Sequence, residues 1–237
     1  KGASAADLIT AIIVGYEVST RIGLSVQPSH YKYWHTTGTV GTFGAAAAVA
    51  TILNLNEEQF AHSLATSATM AAALQQAFRS DSMSKPLHAG HAAEAGAMAA
   101  LSAEYGMTGT LDVLEGEAGF GAAMSTTVDW SKATVGLGAH YNITQMTFKN
   151  HGCCGHAFPA IDGVLHLKAQ HGFAPEAIKR IRVGGYRATL EVRPSRASSR
   201  RRSLSRAHSC TAAYASTPTS PSASQISACR RSRTRSN

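Results

Sequence analysis

The sequence predicts a mainly α chain whose strands are confined to its C-terminal part. Two cap signals, Ser4 with Asp7 and Asn56 with Gln59, each stand at the head of an apolar pattern with helical spacing. The stretches 42–50 and 87–101 are dense in Ala and Gly and nearly free of charge, as helices packed against other helices are. Alternation of the β type occurs only later, at 145–149 and again from Ile178 to Val192.

With 237 residues the chain can bury a sizeable core. Its excess of 22 basic over 14 acidic side chains suggests an anionic partner until the distribution is considered. All 14 acids lie within residues 1–191, which are slightly acidic overall, whereas the last 46 residues carry ten Arg and no acid. Cys153, Cys154, Cys210 and Cys229 make neither a disulfide framework nor a spaced zinc set, so a reducing, cytoplasmic setting is the default. These residues contain no recognisable signal peptide and no run of about 18 apolar residues without polar breaks, so neither secretion nor a membrane partner is expected.

Taken in order, the first helix runs through Leu8, Ile9, Ile12, Ile13, Tyr16, Val18 and Ile22, presenting an apolar face from its first turn. On this pattern, residues are expected to be missing upstream. Next, Trp34-His35-Thr36-Thr37-Gly38-Thr39 leads into the alanine-rich helix. That helix is expected to be central because small residues let backbones approach, with the threonines capping its first N–H groups. Asn56 opens a helix of about 20 residues through Phe60, Leu64, Met70 and Leu74.

That helix leads to the stretch Ser82 to His91, which sets two hydroxyls, Lys85 and two imidazoles at the start of a further helix. Pro86 suits the helix entry, and Gly106 suits a left-handed C-terminal cap. Lys85 thereby stands just before a helix N-terminus, where free N–H groups favour anions. From Leu87 to Leu101 the helix is expected to be buried on most sides. After an irregular link, a short strand is expected at Gln145–Lys149. A helix follows through Ile161, Val164 and Leu167 to Gly172, and then a strand over 178–192.

These motifs resemble the MmgE/PrpD family, whose members include 2-methylcitrate dehydratases, cis-aconitate decarboxylases and an iminodisuccinate epimerase. The resemblance rests on Trp34 to Thr39, Leu53 to Gln59, Ser84-Lys85-Pro86-Leu87-His88-Ala89-Gly90, Tyr105 to Gly109, Leu114-Glu115-Gly116, and Lys149 to Asp162. It implies a cofactor-free lyase for a small di- or tricarboxylate, built from a large all-helical domain and a smaller α+β lid. On this basis residues 1–145 are part of the helical domain, 146–192 begin the lid, and 193–237 form a Ser/Arg-rich tail. By the same resemblance Lys85, Lys149 and His156 are catalytic candidates, and His35, Lys85, His88 and His151 are substrate-binding candidates. The chemistry agrees, since reaction at a carbon between carboxylates needs cations to hold them and a group of near-neutral pKa to move the proton. A homodimer is implied as a possible assembly.

The family's upstream catalytic loop with Asp and His has no match here, so this chain alone is expected to turn over little or no substrate. From Arg193 onward there are 13 Ser and ten Arg, with Leu204 and Ile226 the large aliphatics. Reading each codon's third base with the next two permits Phe-Ser-Leu, Leu-Val-His-Gly and Leu-Arg-Leu-Asp in turn. The tail is therefore read as out-of-frame translation in preference to a disordered nucleic-acid contact. Three alternatives to the lyase remain: an epimerase on the same scaffold, a nucleic-acid binder working through the tail, and a metal hydrolase using His88, His91 and Glu94, whose spacing drifts round a helix.

Overall fold

The computed structural model describes residues 2–78, 83–153, 155–185 and 226–230. They divide into two compact units, one drawn from Lys1–Ala77 and Ser84–Thr147, the other from Phe78–Met83 and Phe148–Asn237. The first unit holds α1 (Ala5–Val26), α2 (Thr36–Leu53), α3 (Glu57–Thr69), α4 (Leu87–Glu104), and the short α5 (Phe120–Met124) and α6 (Ser131–Thr134). The second holds α7 (Phe158–His171) and β1 (Ile178–Val183), paired antiparallel with β2 (Ile226–Arg230). The architecture is mainly α, as predicted.

Both cap signals form complete capping boxes: the side chains of Ser4 and Asn56 accept from the amides of Asp7 and Gln59, and the latter side chains reach back to the cap amides. Helix α2 packs against α1, α3 and α4, so it is central as expected. Its glycines explain how. A Cβ on Gly44 would stand 2.7 Å from the Gly15 carbonyl oxygen, and one on Gly38 would stand 2.4 Å from the Ala73 Cβ. The apolar core gathers Ile22, Val26, Val40, Phe43, Ala68, Ala71 and Phe120, with the Phe120 ring edge-on to Phe43 at 5.0 Å.

Several expectations are corrected. The threonines do not cap α2, whose N-cap is His35 without a side-chain hydrogen bond. Thr42 and Thr51 instead donate to the carbonyls of Gly38 and Ala47 one turn back, which satisfies hydroxyls on a helix surrounded by others, while the Thr39 hydroxyl lies 2.8 Å from a ring nitrogen of His30. Helix α3 is 13 residues long and stops at Thr69, because the chain beyond it is extended. There the Ala73 carbonyl accepts from the His35 amide at 3.0 Å and the Gln75 amide donates to Tyr33 at 2.8 Å, a pairing that overrides local helix propensity. Helix α4 buries only its small face, Ala92, Ala95, Gly96, Ala99, Ala100 and Ala103, and leaves Leu87, Met98 and Leu101 exposed.

The alternating run at 145–149 is not a strand. A 3-10 turn (Asn142–Gln145) is followed by exposed irregular chain, and among the described residues no strand lies beside it to pair with. Helix α7 falls where expected, with Gly172 capping it at φ +59°, and strand β1 begins where expected but stops at Val183, before Gly184 and Gly185, which are not in a strand. Residues 186–192 lie outside the described residues. So does the Ser/Arg-rich tail except for the five residues of β2. By length and a mean hydropathy of 1.3, α1 and α2 could each cross a bilayer. The same composition serves α2 between its three neighbours, and α1 carries a buried ion pair.

Candidate functional site

In the first unit the extended pairing of residues 33–35 with 73–75 brings His35 to the head of α2, 9% exposed. The turn before α4, closed by Leu87 N–H to the Ser84 carbonyl and His88 N–H to the Lys85 carbonyl, brings His88 to the same place. Their Nδ1 atoms are 2.9 Å apart, with ring centres at 5.1 Å. Gly38 is part of the reason, since a Cβ there would come within 3.2 Å of the His88 Cβ.

A hydrogen bond between two Nδ1 atoms needs one N–H and one lone pair, so the bonded pair has one ring neutral at that nitrogen. The His88 imidazole is held below its usual titration range first by burial and then by the positive charges of His91 and Lys85. The pair is therefore two hydrogen-bonded imidazoles, one of them under the charge of Lys85 at the N-terminal end of α4. Such a group can bind a carboxylate and move a proton. His91 turns elsewhere, with Nε2 3.2 Å from the Met70 carbonyl oxygen, so His88 and His91 do not converge with Glu94 on one centre. Among the described residues no three His, Cys, Asp or Glu side chains gather as metal ligands would.

Beneath this pair lies His30, fully buried against Phe120 and Trp34. Its Nδ1 is 3.1 Å from the Met124 carbonyl oxygen and its Nε2 2.8 Å from the Thr39 hydroxyl. Burial lowers its titration, so the ring is neutral: Nδ1–H donates to the carbonyl and Nε2 accepts from Thr39. A second buried polar group lies in α1. Arg21 Nε donates to Glu17 at 2.6 Å, and its terminal nitrogens reach the carbonyls of Ala133, Val135 and His140 at 2.8–3.1 Å. The other Glu17 oxygen accepts from the Asn142 amide at 2.8 Å.

In the second unit His151 Nε2 is 2.6 Å from Asp162 Oδ1, and the Phe158 ring stands edge-on to the imidazole at 5.2 Å. Lys149 is exposed on the irregular chain, and His156 is half-buried in the turn Gly155–Ala157 that precedes α7. Cys153 is half-buried, while Cys154 and Ser82 lie outside the described residues.

Residues 1–133 match the model of the MmgE/PrpD N-terminal domain. The chain belongs to the MmgE/PrpD family. Human cis-aconitate decarboxylase is 37% identical over 121 residues, covering 50% of this chain and 25% of that protein. Cis-aconitate decarboxylase of Aspergillus terreus is 27% identical over 196 residues, 79% of this chain and 39% of that protein. The cis-aconitate decarboxylase-like protein oryM of Aspergillus oryzae is 26% identical over 190 residues, 76% of this chain and 39% of that protein. The chain thus spans between a quarter and about two-fifths of the relatives it matches.

Of the residues singled out by resemblance to the MmgE/PrpD family, the structure brings His35, His88 and Lys85 together in the first unit. In the second, His151 finds a carboxylate. His30, Glu17, Arg21 and Asp162 were missed by sequence reasoning. Glu17 and Arg21 carried one signal, an i,i+4 opposite-charge pair on an otherwise apolar helix, but that spacing alone does not separate a buried pair from an exposed one.

Proposed function

We propose that this chain carries polycarboxylate-binding and proton-transfer residues of an MmgE/PrpD lyase, and that its substrate is a small di- or tricarboxylate of the cis-aconitate kind. The observation that carries this reading is the His35–His88 contact at 2.9 Å, with Lys85 close enough to depress the titration of His88. Lys85 binds a substrate carboxylate, aided by the N-terminus of α4. The imidazole pair is a proton-accepting group beside that carboxylate, since a neutral ring is the form that can take up a proton. Dehydration of a 2-methylcitrate-type acid and epimerisation of an iminodisuccinate-type acid make the same demand for cations and one mobile proton, and both remain alternatives within the family reading. A cytoplasmic location and a homodimer complete the proposal.

The test reads binding first, because the chain spans only part of the relatives' length. Titration with cis-aconitate, 2-methylcitrate and iminodisuccinate is followed through the ring resonances of His35 and His88, with product formation monitored in the same samples. One of the three acids is expected to shift both rings. Lys85→Met should weaken that acid's binding by about 10- to 100-fold, the usual loss for a charge-assisted hydrogen bond. Ring shifts no larger than those given by a neutral polyol, for all three acids, would sink the proposal.

A further inference from the structure

We propose that His151, not His156, is the proton-transfer residue of the second unit, and that Asp162 is its positioning residue. This rests on the lyase reading for the identity of the proton donor, but the geometry stands by itself. His151 Nε2–H donates to Asp162 Oδ1 at 2.6 Å, a short charge-assisted contact that fixes the tautomer. Phe158 and Asp162 are four residues apart on α7, so one helix face supplies both the ring that walls the imidazole and the carboxylate that orients it. With Nε2–H so held, the lone pair is at Nδ1, which makes no hydrogen bond among the described residues. The side chain is 22% exposed, open enough for a small acid to reach it.

This is the base-and-orienter arrangement that activates proton-transfer groups generally, here with the carboxylate on Nε2 and the working nitrogen at Nδ1. A histidine–carboxylate contact this open to water adds little stability, and Asp162 is 59% exposed, so stability alone gives a weak account of the contact. In its neutral form Nδ1 takes a proton from a carbon next to a carboxylate, and the C–H electron pair passes into that carboxylate as an enediolate. In its charged form Nδ1 returns the proton to the carbanion left when carbon dioxide departs.

Two measurements on the whole chain test this. The first needs no substrate: carbethoxylation by diethylpyrocarbonate at alkaline pH, mapped by mass spectrometry, with the ring tautomer read by nitrogen-15 NMR. His151 is expected to be the Nε2–H tautomer and to react faster than His156. Asp162→Asn should abolish the tautomer preference and slow His151 several-fold while leaving His156 unchanged, which a merely structural contact would not do. The second is solvent deuterium incorporation into the bound acid. His151→Gln should lower it by about 10²- to 10⁴-fold and His156→Gln should leave it intact. An unchanged His151 tautomer and rate in Asp162→Asn, or loss of exchange in His156→Gln alone, overturns the assignment. If the unaltered protein exchanges none of the three acids, the carbethoxylation contrast alone decides between His151 and His156, and the lyase reading is judged separately by the ring shifts of His35 and His88.

Discussion

Two glycines in α4 offer a controlled measurement of how closely that helix is pressed onto α2. A Cβ on Gly96 would stand 2.5 Å from the Thr42 carbonyl oxygen and 2.6 Å from both the Ala45 Cβ and the Ala46 nitrogen. None of these atoms is the far end of a flexible side chain, so relief requires moving one helix off the other by most of an ångström. A Cβ on Gly90 meets nothing within 4 Å. Alanine favours a helix over glycine by up to about 1 kcal/mol at either position. Gly90→Ala should therefore stabilise by up to about 1 kcal/mol. At Gly96 the same gain is set against an overpacking cost of about 3 kcal/mol, the upper part of the usual range because nothing can swing aside. Gly96→Ala should lose about 2 kcal/mol net, a fall in Tm of roughly 4–8 °C for a chain of this size. Urea and thermal unfolding of the two variants beside the parent protein give the comparison. Gly96→Ala as stable as Gly90→Ala would show that α2 and α4 are not in the close contact described.

Other outcomes follow from the buried polar groups. Arg21→Leu strands the Glu17 carboxylate and three carbonyls, and should cost about 3–5 kcal/mol in urea unfolding, as breaking a buried ion pair usually does. His30 titrates lower in the folded chain than its ordinary 6.5, so below that pH the unfolded chain binds the extra proton. Its contribution is full above pH 6.5 and is lost as pH falls toward the lower native value, at no more than about 1.4 kcal/mol per pH unit for one proton. Urea midpoints measured between neutral and mildly acid pH should fall less steeply in His30→Asn than in the unaltered chain.

What the sequence made legible was short in range. Ser4 with Asp7 and Asn56 with Gln59 act across three residues, and Gly172 ends α7 by its own backbone freedom, so each could be read in place. The central position of α2 was also readable, because only a helix approached closely on several sides gains from so many Ala and Gly. What escaped was set by partners distant in the chain. The end of α3 is decided by Tyr33 and His35, about 40 residues earlier, and the alternation at 145–149 came to nothing without a neighbouring strand. The site shows the same division. Motif resemblance singled out His35, Lys85 and His88 one by one, but that two of them share a hydrogen bond across 53 residues is a fact of packing. His30 sits in no motif, and Asp162 ends one without a role being assigned to it, so only their partners in space give them a role.

The grip of Arg21 on the carbonyls of Ala133, Val135 and His140 has a consequence for the motions of the first unit. The chain from Ala133 to Asn142 has little regular structure, and by its appearance would be taken for a loop that opens and closes freely. Its amides are nonetheless engaged in turn with one another, and its carbonyls end on a guanidinium anchored in a 22-residue helix. Opening that loop means extracting Arg21 from its pocket, so its opening is tied to that of α1. In hydrogen exchange the amides of Leu137 and His140 should behave as part of the helix's cooperative unit, exchanging by the same slow openings that expose α1.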